Sequence, residues 1–259
     1  MFRTIGLASD ALVMRGRSVF EKHDGYIVQR TPMEPDYWHG NQVIFQVFPE
    51  TFEDAWRVFR HSFPLAKHCV FTFDLPSGHL PEWTSGLPGF EIDQTEILVL
   101  EGSAKPARPI LDFHMSQIVS DADWAKLVDL QHQTEVEQGL CTENDREYID
   151  TKFRHVRSQC EDGNFAWFGL FEGKTLAADM GVTWDSKLAR FQSVETRKEY
   201  RRNGLCGALL SEVLAYLSEV APHAAPVIAA AADGAPGRIY RRAGFIRKET
   251  IVSFERGAM

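Results

Sequence analysis

Gln192-Ser193-Val194-Glu195-Thr196-Arg197-Lys198-Glu199-Tyr200-Arg201-Arg202-Asn203-Gly204-Leu205-Cys206-Gly207 runs from a strand, through a polar loop with two consecutive arginines, into a helix that begins near Gly204. The first backbone N–H groups of a helix have no intrahelical partners and carry the positive end of its dipole. A glycine and small residues there let a phosphate approach the backbone, and Arg201 and Arg202 add positive charge. On these grounds two readings stay open: a phosphate-holding loop, or a solvated basic turn that starts a helix. No Gly-Lys-Ser/Thr follows, and no Gly-x-Gly-x-x-Gly is present, so neither common nucleotide loop fits.

Downstream, Asp233-Gly234-Ala235-Pro236-Gly237-Arg238-Ile239-Tyr240-Arg241-Arg242-Ala243-Gly244-Phe245 follows the apolar strand Val227–Ala232. Asp233 can cap a short helix over Ala235–Arg242, Tyr240 lies about two turns along, and Gly244 can close it in the left-handed conformation. Alone, Tyr240 reads as a packing aromatic. In this order and spacing, however, the two stretches resemble the GNAT superfamily of N-acetyltransferases. Arg201-Arg202-Asn203-Gly204-Leu205-Cys206 matches the family's Gln/Arg-x-x-Gly-x-Gly/Ala loop except at Cys206. Asp233, Pro236, Ile239, Tyr240, Gly244 and Phe245 follow its later pattern, with Asp for Asn and Pro for Ala as departures. The resemblance covers roughly residues 110 to 259.

What it implies is a site for acetyl-CoA, as co-substrate, between two strands that splay apart. The alternation Ala189, Phe191, Ser193 changes phase at Val194 and Thr196, as a β-bulge in that strand would require. By similarity, the backbone of Val194 and Thr196 pairs with the pantetheine arm. Amides from Arg202 through Asn203, Gly204, Leu205 and Cys206 to Gly207 hold the pyrophosphate, with Arg201 and Asp233 in the same cofactor-binding set. Tyr240 takes the part of the general acid that protonates the departing thiolate. Glu195 is the nearest carboxylate and a candidate base; the alternative is a strand carboxylate facing solvent. Cys206 is read as filling a small-residue position, not as a covalent acyl carrier. The implied activity is transfer of an acetyl group to an amine by direct attack. A GNAT-fold binding or regulatory protein that retains CoA affinity without turnover is the alternative.

The breaker cluster Gly102–Pro109 suggests a boundary, giving residues 1–107 and 110–259. The second part reads as an α+β domain with a mixed, mostly antiparallel sheet flanked by helices. Its strands are expected at Ile110–Met115, Phe165–Phe171, Thr175–Trp184, Leu188–Thr196, Val227–Ala232 and Phe245–Phe254, and its helices after Ser120, around Tyr148–Val156 and over Gly207–Glu219. The first part reads as a smaller α/β domain, either accessory or a degenerate GNAT-like unit. Strands are expected there at Tyr26–Arg30, Gln42–Phe48, His68–Asp74 and Thr95–Leu100. A helix capped by Thr51 carries Phe52, Trp56, Phe59 and Phe63 on one stripe. With no Arg-x-x-Gly loop, this part is expected to hold no cofactor. Tyr37–Asn41 and Trp83 either line an acceptor pocket or pack where the domains meet.

At 259 residues, with 44% hydrophobic and 25% charged residues, the chain is ordinary globular protein. A net charge of −8 argues against a nucleic-acid partner. No apolar run reaches membrane-spanning length, and the N-terminus lacks a signal-peptide core. Cys69, Cys141, Cys160 and Cys206 are scattered, so they are expected as free thiols in the cytoplasm, and no metal-ligand spacing is present. The expected acceptor is a small-molecule or peptide amine.

Overall fold

The computed structural model describes residues 1–76, 80–85, 87–108, 110–231 and 234–257. Two compact units emerge: Met1–Leu98 with Ala229–Gly234 and Arg247–Met259, and Val99–Ile228 with Ala235–Ile246.

In the first unit, α1 (Ile5–Val13) precedes β1 (Val19–Lys22), β2 (Tyr26–Arg30), β3 (Gln42–Phe45), α2 (Phe52–Ser62), β4 (Cys69–Phe73) and β5 (Glu91–Leu100). Strands β1, β2 and β3 pair antiparallel, and β3 pairs parallel with β4 through the α2 crossover. Thr51 caps α2 by accepting from the Asp54 amide, as its sequence suggests. The stripe of α2 drives Phe59 into a core with Phe45, Phe71 and Phe73. Burial of one such ring stabilises by roughly 1.5–3 kcal/mol. Trp83 packs against Phe52 and Phe73 and donates its indole N–H to the Pro49 carbonyl, while Trp38 stacks on His68. Strand β3 stops at Phe45, short of the expected Phe48, where Gln46 and Val47 turn their amides to the Gly25 carbonyl.

Helix α1 has little local signal. Its start is held from far along the chain: the Asp74 carboxylate accepts from the Arg3 and Thr4 amides and the Thr4 hydroxyl, and Glu249 accepts from the Ile5 and Gly6 amides.

The second unit carries β6 (His114–Gln117), α3 (Asp121–Glu137), α4 (Arg146–Glu161), β7 (Phe165–Glu172), β8 (Thr175–Trp184), β9 (Leu188–Thr196), α5 (Leu205–Val220), the first four residues of β10 (Ala225–Ala231) and α6 (Ala235–Ala243). Strands β6 to β9 form an antiparallel meander, and β9 pairs parallel with β10 through α5. Helices α3 and α4 cover one face through Trp124, Leu127, Leu130, Phe153 and Val156, packed on Trp167. Ser120 caps α3. Strand β6 begins at His114, later than the expected Ile110, because Leu111 lies outside the ladder, almost wholly exposed. The fold is α+β, a mixed and mostly antiparallel sheet flanked by helices.

The last strand, β11 (Phe245–Arg256), starts in the second unit and pairs antiparallel with β4 in the first, beside β5. The compact units are thus discontinuous in sequence, since the C-terminal strand returns to pair within the first. No helix among the described residues is long and apolar enough to cross a membrane.

Candidate functional site

The ladder between β8 and β9 pairs Gly181 with Gln192 and then Asp179 with Glu195. One residue on β8, Met180, thus faces two on β9, Ser193 and Val194: a β-bulge where the phase change in the sequence suggests one. Ser193 takes φ 45°, outside the region that side chains prefer. The parallel ladder with β10 runs only from Leu188 to Phe191, so β9 parts from that neighbour before the bulge.

Beyond Thr196 a 3-10 turn, Lys198–Tyr200, leads to Arg202 at φ 66° and Gly204 at φ 84°. Among the described residues the non-glycine positive-φ positions are Ser193 and Arg202, and both lie here. Backbone strain of this kind costs about 1–3 kcal/mol per residue and concentrates at working sites. Gly204 is the N-cap of α5 and offers no side chain to the helix end. The amides of Leu205, Cys206 and Gly207 therefore open outward, while that of Ala208 is the first to bond back, to the Gly204 carbonyl.

Bulge and helix start form walls of one cavity in the second unit, about 890 Å³ in volume. Val194, Glu195 and Thr196 enter from β9; Arg201, Arg202, Gly204, Leu205, Cys206 and Gly207 come from the loop and α5; Tyr240 comes from α6. Asn203 is not among the lining residues, and Asp233 lies outside the described residues. Sequence reasoning missed Gln138 at the end of α3, Lys105 and Arg108 in the presumed linker, and Arg238 and Arg242 on α6. The α6 pair is four residues apart and hence on one helix face, a signal that was available. Lys105 belongs here because its amide bonds the Ala243 carbonyl at the end of α6.

No family model matches the sequence, and no curated protein matches it either. Solved structures do. A functionally unknown conserved protein from Staphylococcus epidermidis superposes with a TM-score of 0.73 at 14% identity, over 93% of this chain and 95% of that one. A GCN5-related N-acetyltransferase from Kribbella flavida gives 0.62 at 13% identity, over 96% and 93%. A tandem GNAT protein from the clavulanic acid biosynthesis pathway gives 0.60 at 15% identity, over 97% and 87%. The chain has the GNAT fold.

Within this GNAT fold the cavity is electrostatically distinct from the rest of the molecule. Among the described residues, six cationic side chains and one carboxylate line it, in a chain of net charge −8. Arg201 is not a free charge, however. Its guanidinium grips both carboxylate oxygens of Glu137 at 2.9 and 2.8 Å and the Thr196 carbonyl at 2.9 Å, and it holds the Glu137 carboxyl below its ordinary range. Arg201 thereby ties the loop to the end of α3.

Glu195, half-buried, turns into the cavity. Burial pushes its carboxyl up to about 7, against the pull of Arg201 and a hydrogen bond from Gln138. Tyr240 is 4% exposed; burial, and then the neighbouring Cys206 and Glu195, raise its phenol above the ordinary range. Burial likewise pushes the Cys206 thiol to about 12, so it stays protonated and is not a nucleophile at neutral pH. The cavity thus holds a carboxyl that titrates near neutrality and a phenol that stays protonated. These are the protonation behaviours asked of a general base and a general acid.

Proposed function

We propose that the protein is an acyl-CoA-dependent N-acyltransferase that moves an acetyl group from acetyl-CoA to the amine of a small molecule or peptide in the cytoplasm. The observation that carries this reading is the meeting, in one cavity, of the bulged β9, the open N-terminus of α5, Glu195 and Tyr240.

The residues present fit acetyl-CoA. Around Gly204 there is open space, with no atom within 4 Å of where a side chain would begin, so a phosphate can approach the backbone. The amides of Leu205, Cys206 and Gly207 would hold the pyrophosphate, and Lys105, Arg108, Arg202, Arg238 and Arg242 supply the charge a polyanion needs. The bulge takes Val194 out of the β8 ladder and leaves its backbone for the pantetheine amides, while Gln131 takes the Ser193 carbonyl. Acetyl-CoA supplies an activated acyl carbon. Glu195 takes a proton from the attacking amine, directly or through water. Tyr240 gives its proton to sulfur as the carbon–sulfur bond breaks; a phenol is a weaker acid than a thiol, so transfer and cleavage proceed together.

Titration of acetyl-CoA against the melting temperature tests the reading. Ligand at about 100 times Kd adds about 2.7 kcal/mol and raises the transition, and Gly204→Glu abolishes the shift. Tyr240→Phe keeps the shift but loses about 10²–10⁴-fold in acetylation of any amine the parent accepts. No shift at millimolar acetyl-CoA would overturn the reading.

A further inference from the structure

Beneath the bulge lies a buried polar cluster that the proposed chemistry leaves without a role. Asp179 on β8 is fully buried, on the sheet face covered by α3 and α4. Its Oδ1 accepts the Gln131 side-chain amide at 2.7 Å and the Trp167 indole N–H at 2.9 Å. The Gln131 amide nitrogen also donates to the carbonyl of Ser193 at 3.0 Å. Both amide protons of Gln131 are thus committed: one to the strand opposite the bulge, one to the bulge itself.

The Ser193 carbonyl is a group the bulge removes from the β8 ladder, and a carbonyl shielded from water is destabilising when left unpaired. Gln131, on α3, supplies the missing partner. Directly across the ladder from Asp179 stands Glu195, so their side chains leave the same face about 5 Å apart at Cβ. Gly181 reinforces the arrangement, because a side chain there would collide with the Trp167 ring.

The geometry points to Gln131 and Asp179 as positioning residues: a clamp from α3 across β8 that fixes the Ser193 carbonyl, and with it the place of Glu195 in the cavity. This inference rests on the transferase reading for its consequence, but the clamp itself can be tested without turnover. Burial raises the Asp179 carboxyl well above its ordinary value, opposed by Trp167 and Gln131 and aided by the Glu195 charge. Other groups facing Glu195 are Arg201 from the loop, Gln138 and Glu135 from α3, Lys152 from α4, Cys206 from α5 and Tyr240 from α6.

The test is a carboxyl-carbon NMR titration of the full-length protein, with Glu195→Gln assigning the resonance. Gln131→Met keeps the length of the side chain and removes both donors. Glu195 then becomes more open to water, and its midpoint falls from near 7 by about one unit or more toward the ordinary carboxylate value. In the enzyme assay kcat falls about tenfold or more while KM for acetyl-CoA moves less than about threefold. Asp179→Asn keeps an acceptor for both donors and leaves the midpoint within about half a unit of the parent. An unchanged Glu195 midpoint in folded Gln131→Met overturns the clamp, as does an Asp179→Asn protein that behaves like Gln131→Met. Should Gln131→Met fail to fold, the parent decides by itself: slowly exchanging Gln131 side-chain amide protons support the clamp, and exchange at the rate of an exposed glutamine overturns it. A midpoint that moves in a protein acetylating no amine supports the clamp and counts against the transferase.

Discussion

Glu195 shows how one side chain couples stability to pH. Its folded carboxyl titrates near 7, above the ordinary value of 4.5 that the unfolded chain retains. Between those values the folded state binds more protons than the unfolded one, so stability falls as pH rises through the window. The contribution is fully present below about 4.5 and lost above about 7. Glu195→Gln removes this dependence. Relative to the parent, the variant is expected to be more stable by about 2 kcal/mol at pH 8, after allowance for partial water access, and to lose most of that advantage by pH 5. Urea unfolding at the two pH values measures it; a gap that does not change with pH would mean Glu195 is not held where the cavity places it. For catalysis the sign is opposite: a base must be deprotonated, so kcat/KM of the parent rises with pH through about 7.

At the scale of elements, the decisive features are helix α2 and the junction from β9 into α5. The α2 stripe was legible because aromatic residues at helical spacing must find a common core, and Phe59 is wholly buried among Phe63, Phe71 and His68. Phe59→Ala is expected to destabilise by about 3–5 kcal/mol, seen as a lower denaturation midpoint with an unchanged slope. A loss under about 1 kcal/mol would mean that the stripe is not the anchor of that core. The β9–α5 junction was legible for a different reason. Glycine at an N-cap and a broken alternation in a strand are local signals of positive φ and of a bulge, and both stand in the sequence. Helix α1 carried one local signal, Thr4, whose hydroxyl caps it by accepting from the Leu7 amide; the other groups that hold its start, Asp74 and Glu249, come from distant strands and loops.

Taken whole, the molecule is acidic, yet among the described residues its cavity is lined by Lys105, Arg108, Arg201, Arg202, Arg238 and Arg242 against Glu195 alone. Binding of a polyanion at such a wall weakens as salt screens it, over a Debye length of about 8–10 Å at physiological ionic strength. Calorimetric titration of acetyl-CoA is expected to lose about tenfold in affinity between 50 and 500 mM salt, with Arg242→Ala flattening the slope. Affinity that ignores salt would indicate that these cations do not meet the phosphates.

The sequence by itself determined the α+β class, the antiparallel meander, the β9–α5–β10 crossover, the bulge and the order of Gly204 and Tyr240. Each is written in spacing along a short stretch, where backbone geometry and side-chain periodicity act within a few residues. Only the tertiary structure decided that Glu195 faces a buried cavity, that Arg201 is held by Glu137, and that Lys105, Arg108, Arg238 and Arg242 share its wall. It alone revealed that Gln131 bridges Asp179 to Ser193. Those facts depend on contacts between residues as much as 138 positions apart, as the Lys105 amide and the Ala243 carbonyl are, and no local pattern encodes which distant side chain fills a given space or how far burial moves its proton affinity.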